Sequence, residues 1–320
     1  MTNSQNKRKI LIPFDCSDQS IQTVNYASTM LSPESTGITL FMVEDDMPET
    51  FWDTEAKPEQ SGKLEDINAW IKKQHQFFSD KLDEARVRFV ANGFDPETVL
   101  IRKQKRMTGI TRDIIREAKE GYDAIIVGRT GLSNQPGGGL GHVTSRLISK
   151  ISDTTLVIVG SKPETSGIVV GFDGSSGAKR CVKMIRTFLN PENTKVNLCY
   201  VSRTLNVLKG SFDLFQSCLS MGFNEGSTHK SDYKGAINAE IEKAKDMLVN
   251  GGFSKANVDI RILQGYMSRS LAIIHEAADK GCGTIMLGRK GHSAVEEFVI
   301  GSVSEKVLHR ACDQAVWIVS

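Results

Sequence analysis

Residues 284–302 read TIMLGRKGHSAVEEFVIGS. The apolar run Thr284-Ile285-Met286-Leu287 leads straight into Gly288. Gly291 and Gly301 follow, and Ser302 then opens Val303-Ser304-Glu305-Lys306-Val307-Leu308. The pattern is that of a buried strand, a glycine-punctuated loop and a helix start. Such a loop suits an anion, because glycines let backbone N–H groups approach phosphate and a helix N-terminus adds partial positive charge. Ser302 places a hydroxyl where an N-cap or a phosphate contact is expected. Taken alone, G-x2-G-x9-G is a weak signal, but here it occurs twice. Gly128, Gly131 and Gly141 follow the apolar run Ala124-Ile125-Ile126-Val127, each 160 residues before its counterpart.

Working outward, the rest of the chain repeats as well. Ile168-Val169-Val170-Gly171-Phe172-Asp173-Gly174-Ser175 echoes Ile10-Leu11-Ile12-Pro13-Phe14-Asp15-Cys16-Ser17 at an offset of 158, and Val201 matches Val43 at the same offset. Val319 matches Val159 at 160, so the halves differ by a net two residues. A repeat this long is a domain duplication rather than a solenoid. The polar stretch Gly160 to Ser166 reads as the linker, which gives domains 1–161 and 162–320. Each half is long enough to bury its own core.

Within the first half, strands are expected at Lys9–Phe14, Ile38–Val43, Val99–Ile101, Ala124–Val127 and Thr155–Val159. Helices are expected after a Ser17 or Asp18 cap, over Leu64–Asn92, from a Thr108 cap through Ala118, and from Val143. Glu44 to Gly62, with Phe51 and Trp52, reads as a long acidic loop. The second half repeats the plan with a long helix over Asp232–Asn250 and a strand over Val258–Leu263. A different insert, Thr204 to Thr228, is expected to form a mobile or partly helical lid, with core or interface packing weighed ahead of a membrane-touching or ligand-covering role. Alternating strands and helices predict an α/β fold: two doubly wound domains, each a mainly parallel five-stranded sheet with helices on both faces.

Bulk properties exclude several classes. Forty Lys and Arg against thirty-eight Asp and Glu leave a net charge of +2, which argues for no nucleic-acid partner. No apolar run approaches the ~18 residues of a membrane span, so no membrane insertion is expected. The short apolar stretch at Ile10–Ile12 ends at Pro13 and does not resemble a signal peptide, which predicts a cytoplasmic protein. The six cysteines form no CxxC pair and are expected to be reduced, with Cys199 a small buried hydrophobe.

With the Asp-containing first turn and the doubled glycine spacing in view, the chain resembles a tandem universal stress protein from about Lys7 to Ser320. G-x2-G-x9-G-[S/T] is similar to the motif of the ATP-binding branch of that family. The resemblance implies that last strands pair between domains, here Val157–Val159 with Val316–Val319, forming an intramolecular pseudo-dimer and leaving a further homodimer open. It also implies that Asp173 lies near the adenosine and that Val201 offers backbone groups to the base. Gly288, Arg289, Gly291, Gly301 and Ser302, with Val303 beside them, would surround ribose and phosphates, and Mg2+ would enter through the phosphates.

In the first half Asp15, Val43, Gly128, Gly131 and Gly141 are present, but His142 stands where the family has Ser or Thr. Thr144 and Ser145 lie one turn deeper as partial substitutes, and the loop carries Pro136. A solvent-facing His142 without a ligand is the bland alternative. Gly283 to Lys290 comes near a phosphate-binding P-loop but lacks its Lys-Ser/Thr. His275-Glu276 is expected at the surface, and no poised nucleophile and base are identifiable. These features favour a regulatory protein that binds an adenine nucleotide, ATP foremost, and signals to a protein partner. A nucleotide-independent interaction or chaperone-like protein comes next, and a slow ATPase or autophosphorylating protein last.

Overall fold

A computed structural model of the chain describes residues 7–44, 61–131, 139–165, 167–192, 194–202, 229–291 and 299–320, with side chains omitted at 61–70 and 229–236. The chain divides into two compact units, Met1–Ser161 and Lys162–Ser320. The first unit holds strands β1 (Arg8–Pro13), β2 (Thr36–Glu44), β3 (Val99–Lys105), β4 (Ala124–Gly128) and β5 (Thr155–Val159). Its helices are α1 (Asp18–Met30), α2 (Ser61–Ala91), α3 (Ile110–Ala118) and α4 (His142–Lys150). The second unit holds β6 (Gly167–Gly171), β7 (Lys195–Val201), β8 (Val258–Leu263), β9 (Thr284–Gly288) and β10 (Ala315–Val319). Its helices are α5 (Ser176–Phe188), α6 (His229–Val249), α7 (Arg269–Asp279) and α8 (Ser302–Arg310).

In the first unit the sheet order is β3-β2-β1-β4-β5, and in the second β8-β7-β6-β9-β10. All described pairings within each unit are parallel. Strands covered on both faces must be apolar throughout, and β4 (AIIVG) and β10 (AVWIV) are buried at every position. In the first unit α1 packs with α2 and α3 with α4; in the second α5 packs with α6 and α7 with α8. Strand order reverses between β1 and β4, and again between β6 and β9. The carboxyl ends of such neighbours are where an open α/β sheet leaves a crevice for a ligand.

Local chemistry sets the helix starts. Ser17 and Ser175 cap α1 and α5, their hydroxyls accepting from the N–H groups of Ser20 and Ala178. Thr108 does not cap α3, contrary to expectation. Gly109 takes that position, and the buried Asp113 carboxylate turns back instead to accept from the N–H groups of Met107 (2.9 Å), Thr108 and Gly109 and from the Thr108 hydroxyl (2.8 Å). Burial acts to raise the Asp113 pKa, but those donors outweigh it and hold the carboxyl below its usual range.

His275-Glu276 is also corrected: His275 is exposed, but Glu276 is buried and pairs with Arg261 of β8 at 3.0 Å. The first unit repeats the pair as Glu117 with Arg102 of β3, also 3.0 Å. Tyr122 donates its hydroxyl to Glu117 at 2.6 Å.

The strand over Val99–Ile101 extends to Lys105. The expected acidic loop overlaps the start of α2 at Ser61, and its residues 45–60, with Phe51 and Trp52, lie outside the described residues. The lid expected over 204–228 lies outside them too. The five described cysteines, Cys16, Cys181, Cys199, Cys282 and Cys312, are free thiols. Burial pushes Cys16 and Cys199 up to about 12, so neither is a ready thiolate. Among the described residues no helix is long and apolar enough to cross a membrane.

Candidate functional site

The crevice is built from three segments in each unit. In the second, β6 ends at Gly171 and the chain turns through Phe172, Asp173 and Gly174 into α5. Asp173 is half-buried, and its Oδ1 accepts the Ser175 N–H at 3.0 Å, which fixes the carboxylate over the turn. Its other oxygen faces the glycine loop: a Cβ added at Gly291 would lie 2.8 Å from Asp173 Oδ2. The first unit repeats the contact, with 2.9 Å between a Cβ at Gly131 and Asp15 Oδ2. Asp15 Oδ1 accepts both the N–H and the hydroxyl of Ser17, at 3.0 and 2.5 Å. The middle glycine of the spacing is thus the one that lets the loop close on the aspartate.

The three glycines do different jobs. A Cβ at Gly288 would come within 2.7 Å of Gly177 backbone atoms, so this glycine seats α5 against the strand. At Gly128 the obstacle is a side chain, Gln19 Cγ at 2.5 Å. Gln19 in turn donates to the carbonyls of Val159 (3.1 Å) and Gly160 (3.0 Å). The third glycine closes the loop. Gly301 N–H donates to Arg289 O at 2.8 Å, while Arg289 N–H donates to Val319 O at 2.7 Å. Gly141, Arg129 and Val159 form the same chain of bonds, both at 2.8 Å.

Here the cap expectation is corrected. Gly301 and Gly141 are the N-caps of α8 and α4, and neither helix has a side-chain cap bond. Ser302 and His142 are the first helical residues, and both are exposed. A helix start left without a capping side chain is open to an anion.

The hydroxyl one turn deeper is committed elsewhere. Ser304 Oγ donates to Gly288 O at 2.8 Å, and Thr144 Oγ1 to Gly128 O at 2.7 Å, both from buried positions. Thr144 is therefore a brace of the loop and no substitute for a ligand hydroxyl. Sequence reasoning missed this pair, although a Ser or Thr three residues after the last glycine in both halves was the signal. Ser145 is exposed.

Val201 and Val43 complete the crevice. They lie toward the carboxyl ends of β2 and β7, each two residues beyond the last registered pair with β1 or β6 (Pro13 with Phe41, Gly171 with Cys199), and Asp15 and Asp173 lie in the turns that follow β1 and β6. Val201 is buried and Val43 half-buried. Arg289 is buried with its Nε donating to Ser320 Oγ at 2.9 Å, and Arg129 is equally buried. Val303 is half-buried at the second position of α8. Among the described residues no group of His, Cys, Asp and Glu side chains is placed to hold a metal ion.

The model of the universal stress protein family matches residues 7–159 and again 165–320. The chain belongs to the universal stress protein family. It carries two copies of the domain, as the duplicated aspartate turn and glycine loop require. A universal stress protein of Synechocystis is 26% identical over 204 residues, which cover 63% of this chain. The aligned part spans 60% of that relative's length.

Two solved structures share the fold. A universal stress protein from Archaeoglobus fulgidus has 16% identity and a TM-score of 0.54, with 98% of this chain and 97% of that chain covered. A functionally unknown protein from Pseudomonas aeruginosa has 12% identity and a TM-score of 0.53, with coverage of 98% and 92%.

Proposed function

We propose that this universal stress protein is a regulatory module that binds an adenine nucleotide, ATP foremost, in its second unit. The observation that carries the reading is the placement of Asp173 Oδ2 against Gly291, in a loop that ends on the uncapped start of α8. A carboxylate there accepts hydrogen bonds from ribose hydroxyls. Main-chain N–H groups of the loop and of the first turn of α8 face phosphate oxygens, which need donors. Val201, at the carboxyl end of β7 beside the β6 strand that leads into the Asp173 turn, offers backbone groups to the base.

Mg2+ would be held through phosphate oxygens. The reading is one of binding rather than turnover, because the features that support it are anion- and hydroxyl-recognising groups. In the cytoplasm, nucleotide binding would change a surface read by a protein partner. The first unit has the same aspartate contact but presents His142 at the helix start, where an imidazole is bulkier than a hydroxyl.

The test is calorimetric titration of Mg-ATP, ADP and AMP into the full chain beside Gly291→Val. One site, lost in the variant, is the expected result. No heat and no thermal shift with any of the three would overturn the reading and leave a nucleotide-independent interaction module.

A further inference from the structure

Away from the aspartate crevice, the first unit has a cavity of about 500 Å³ between α3 and α4. Arg106, Arg112, Lys119, His142, Arg146 and Lys150 line it, and no Asp or Glu does. Arg112, Lys119, Arg146 and Lys150 form no ion pair with any described residue. The nearby Asp113 is turned inward, its oxygens occupied by the 107–109 turn and by Arg116 at 3.4 Å. Four cations without an ion pair, gathered around one concave space, repel each other unless an anion joins them.

The second unit is an internal control. At the offset of 159 that relates Glu117 to Glu276, Arg106 becomes Gly265, Arg112 becomes Leu271 and Lys119 becomes Ala278. The α4 cations persist as Lys306 and Arg310 of α8, and Ile110 becomes Arg269, so the second unit carries three cations at these positions against five. The same scaffold therefore does not require the charge.

We propose that this cleft binds a small polyphosphate, an anion with two or more linked phosphate groups. Arginine forks match phosphate oxygens in pairs, and three of the five cations are arginines. His142, Arg146 and Lys150 recur every fourth residue on one face of α4 and span about 12 Å, longer than a single phosphate uses. The phosphates come either from a free polyphosphate or from the tail of a nucleotide, since His142 stands both at the cleft and at the start of α4 next to the first glycine loop. The site does not depend on nucleotide binding in the second unit.

The experiment is titration of inorganic tripolyphosphate into the full chain at low salt, beside an Arg112→Ala/Arg146→Ala variant and Gly291→Val. One-to-one binding is expected, weakened at least roughly ten-fold by the double substitution because two charge-assisted contacts are removed. Gly291→Val leaves it unchanged, which separates this site from the proposed nucleotide site. Both arginines are lining residues outside the core, and a thermal melt of the double variant is expected to match the parent.

An ATP arm identifies the source. ATP binding weakened alongside tripolyphosphate places a nucleotide tail in the cleft; ATP binding untouched assigns the cleft to a free polyphosphate. Absence of tripolyphosphate binding, or binding indifferent to the double variant, overturns the proposal. So does a short RNA duplex that binds more tightly through the same two arginines.

Discussion

In the first unit the helix after the aspartate turn meets Gly128 through the Gln19 side chain; in the second it meets Gly288 with the bare backbone of Gly177. The turn differs in the same sense. Gly174 has φ of 78°, whereas Cys16 holds the equivalent left-handed conformation at 61° with a side chain attached. At the start of the next helix the second unit shows Ser302 and the first shows His142. Three times the second unit puts backbone or a small hydroxyl where the first puts a larger side chain. The loop-closing and brace bonds are the same, so the difference lies in how much side chain stands in front of the main chain.

The largest test of that comparison is Gly291→Val against Gly131→Val. A valine at 291 meets the Asp173 carboxylate, and nucleotide affinity is expected to fall on the order of a hundred-fold, ~3 kcal/mol. Gly131→Val leaves the affinity of the main site within a factor of about two. Equal losses from both variants would mean that the units share the ligand equally.

Next comes the seating of the helix. Gly288→Ala sets a methyl against Gly177 backbone and is expected to cost about 2–3 kcal/mol in urea unfolding. Gly128→Ala meets chiefly the Gln19 side chain, with its two hydrogen bonds, and presses less closely on Thr130 O at 3.1 Å and Thr23 Oγ1 at 3.3 Å, for about 1–2 kcal/mol. A reversed order would show that the two helices are held differently from the way their contacts indicate.

The brace predicts equality instead. Ser304→Ala and Thr144→Ala each remove a bond to the first-glycine carbonyl, at about 1–2 kcal/mol apiece. A tenfold change in nucleotide affinity from Ser304→Ala with no loss of stability would reassign that hydroxyl to the ligand. Smallest is Cys16→Gly. Relief of the left-handed strain of ~1–2 kcal/mol is partly offset by glycine's entropy, leaving a gain of about 0.5–1 kcal/mol. A measured loss would mean that the half-buried thiol packs better than its backbone suffers.

Much of the scaffold was legible because its signals are local. Four- and five-residue apolar runs mark β4, β5, β9 and β10, and the repeated glycine spacing marks the loop. What sequence could not place depends on single-residue backbone geometry or on distant partners. Whether Gly301 or Ser302 is the cap is a matter of one φ/ψ pair, and Thr108 against Gly109 is the same problem. Glu276 looks like a surface residue until β8 brings Arg261 beside it. The basic cleft draws on the end of β3, on α3 and on α4, so no single stretch announces it. In the candidate site, the aspartates and glycines could be named from the repeat, but their separate jobs could not.

Residues 289 and 301 are twelve positions apart in the chain yet joined by one hydrogen bond, and residue 289 is tied in turn to the end of β10. The two ends of the loop are therefore fixed posts, and whatever chain runs between them can be lengthened or exchanged without moving either. Each doubling of its length adds only ~0.6 kcal/mol of closure entropy. Insertion into that stretch is therefore expected to leave the anchoring glycines and the sheet beneath unchanged.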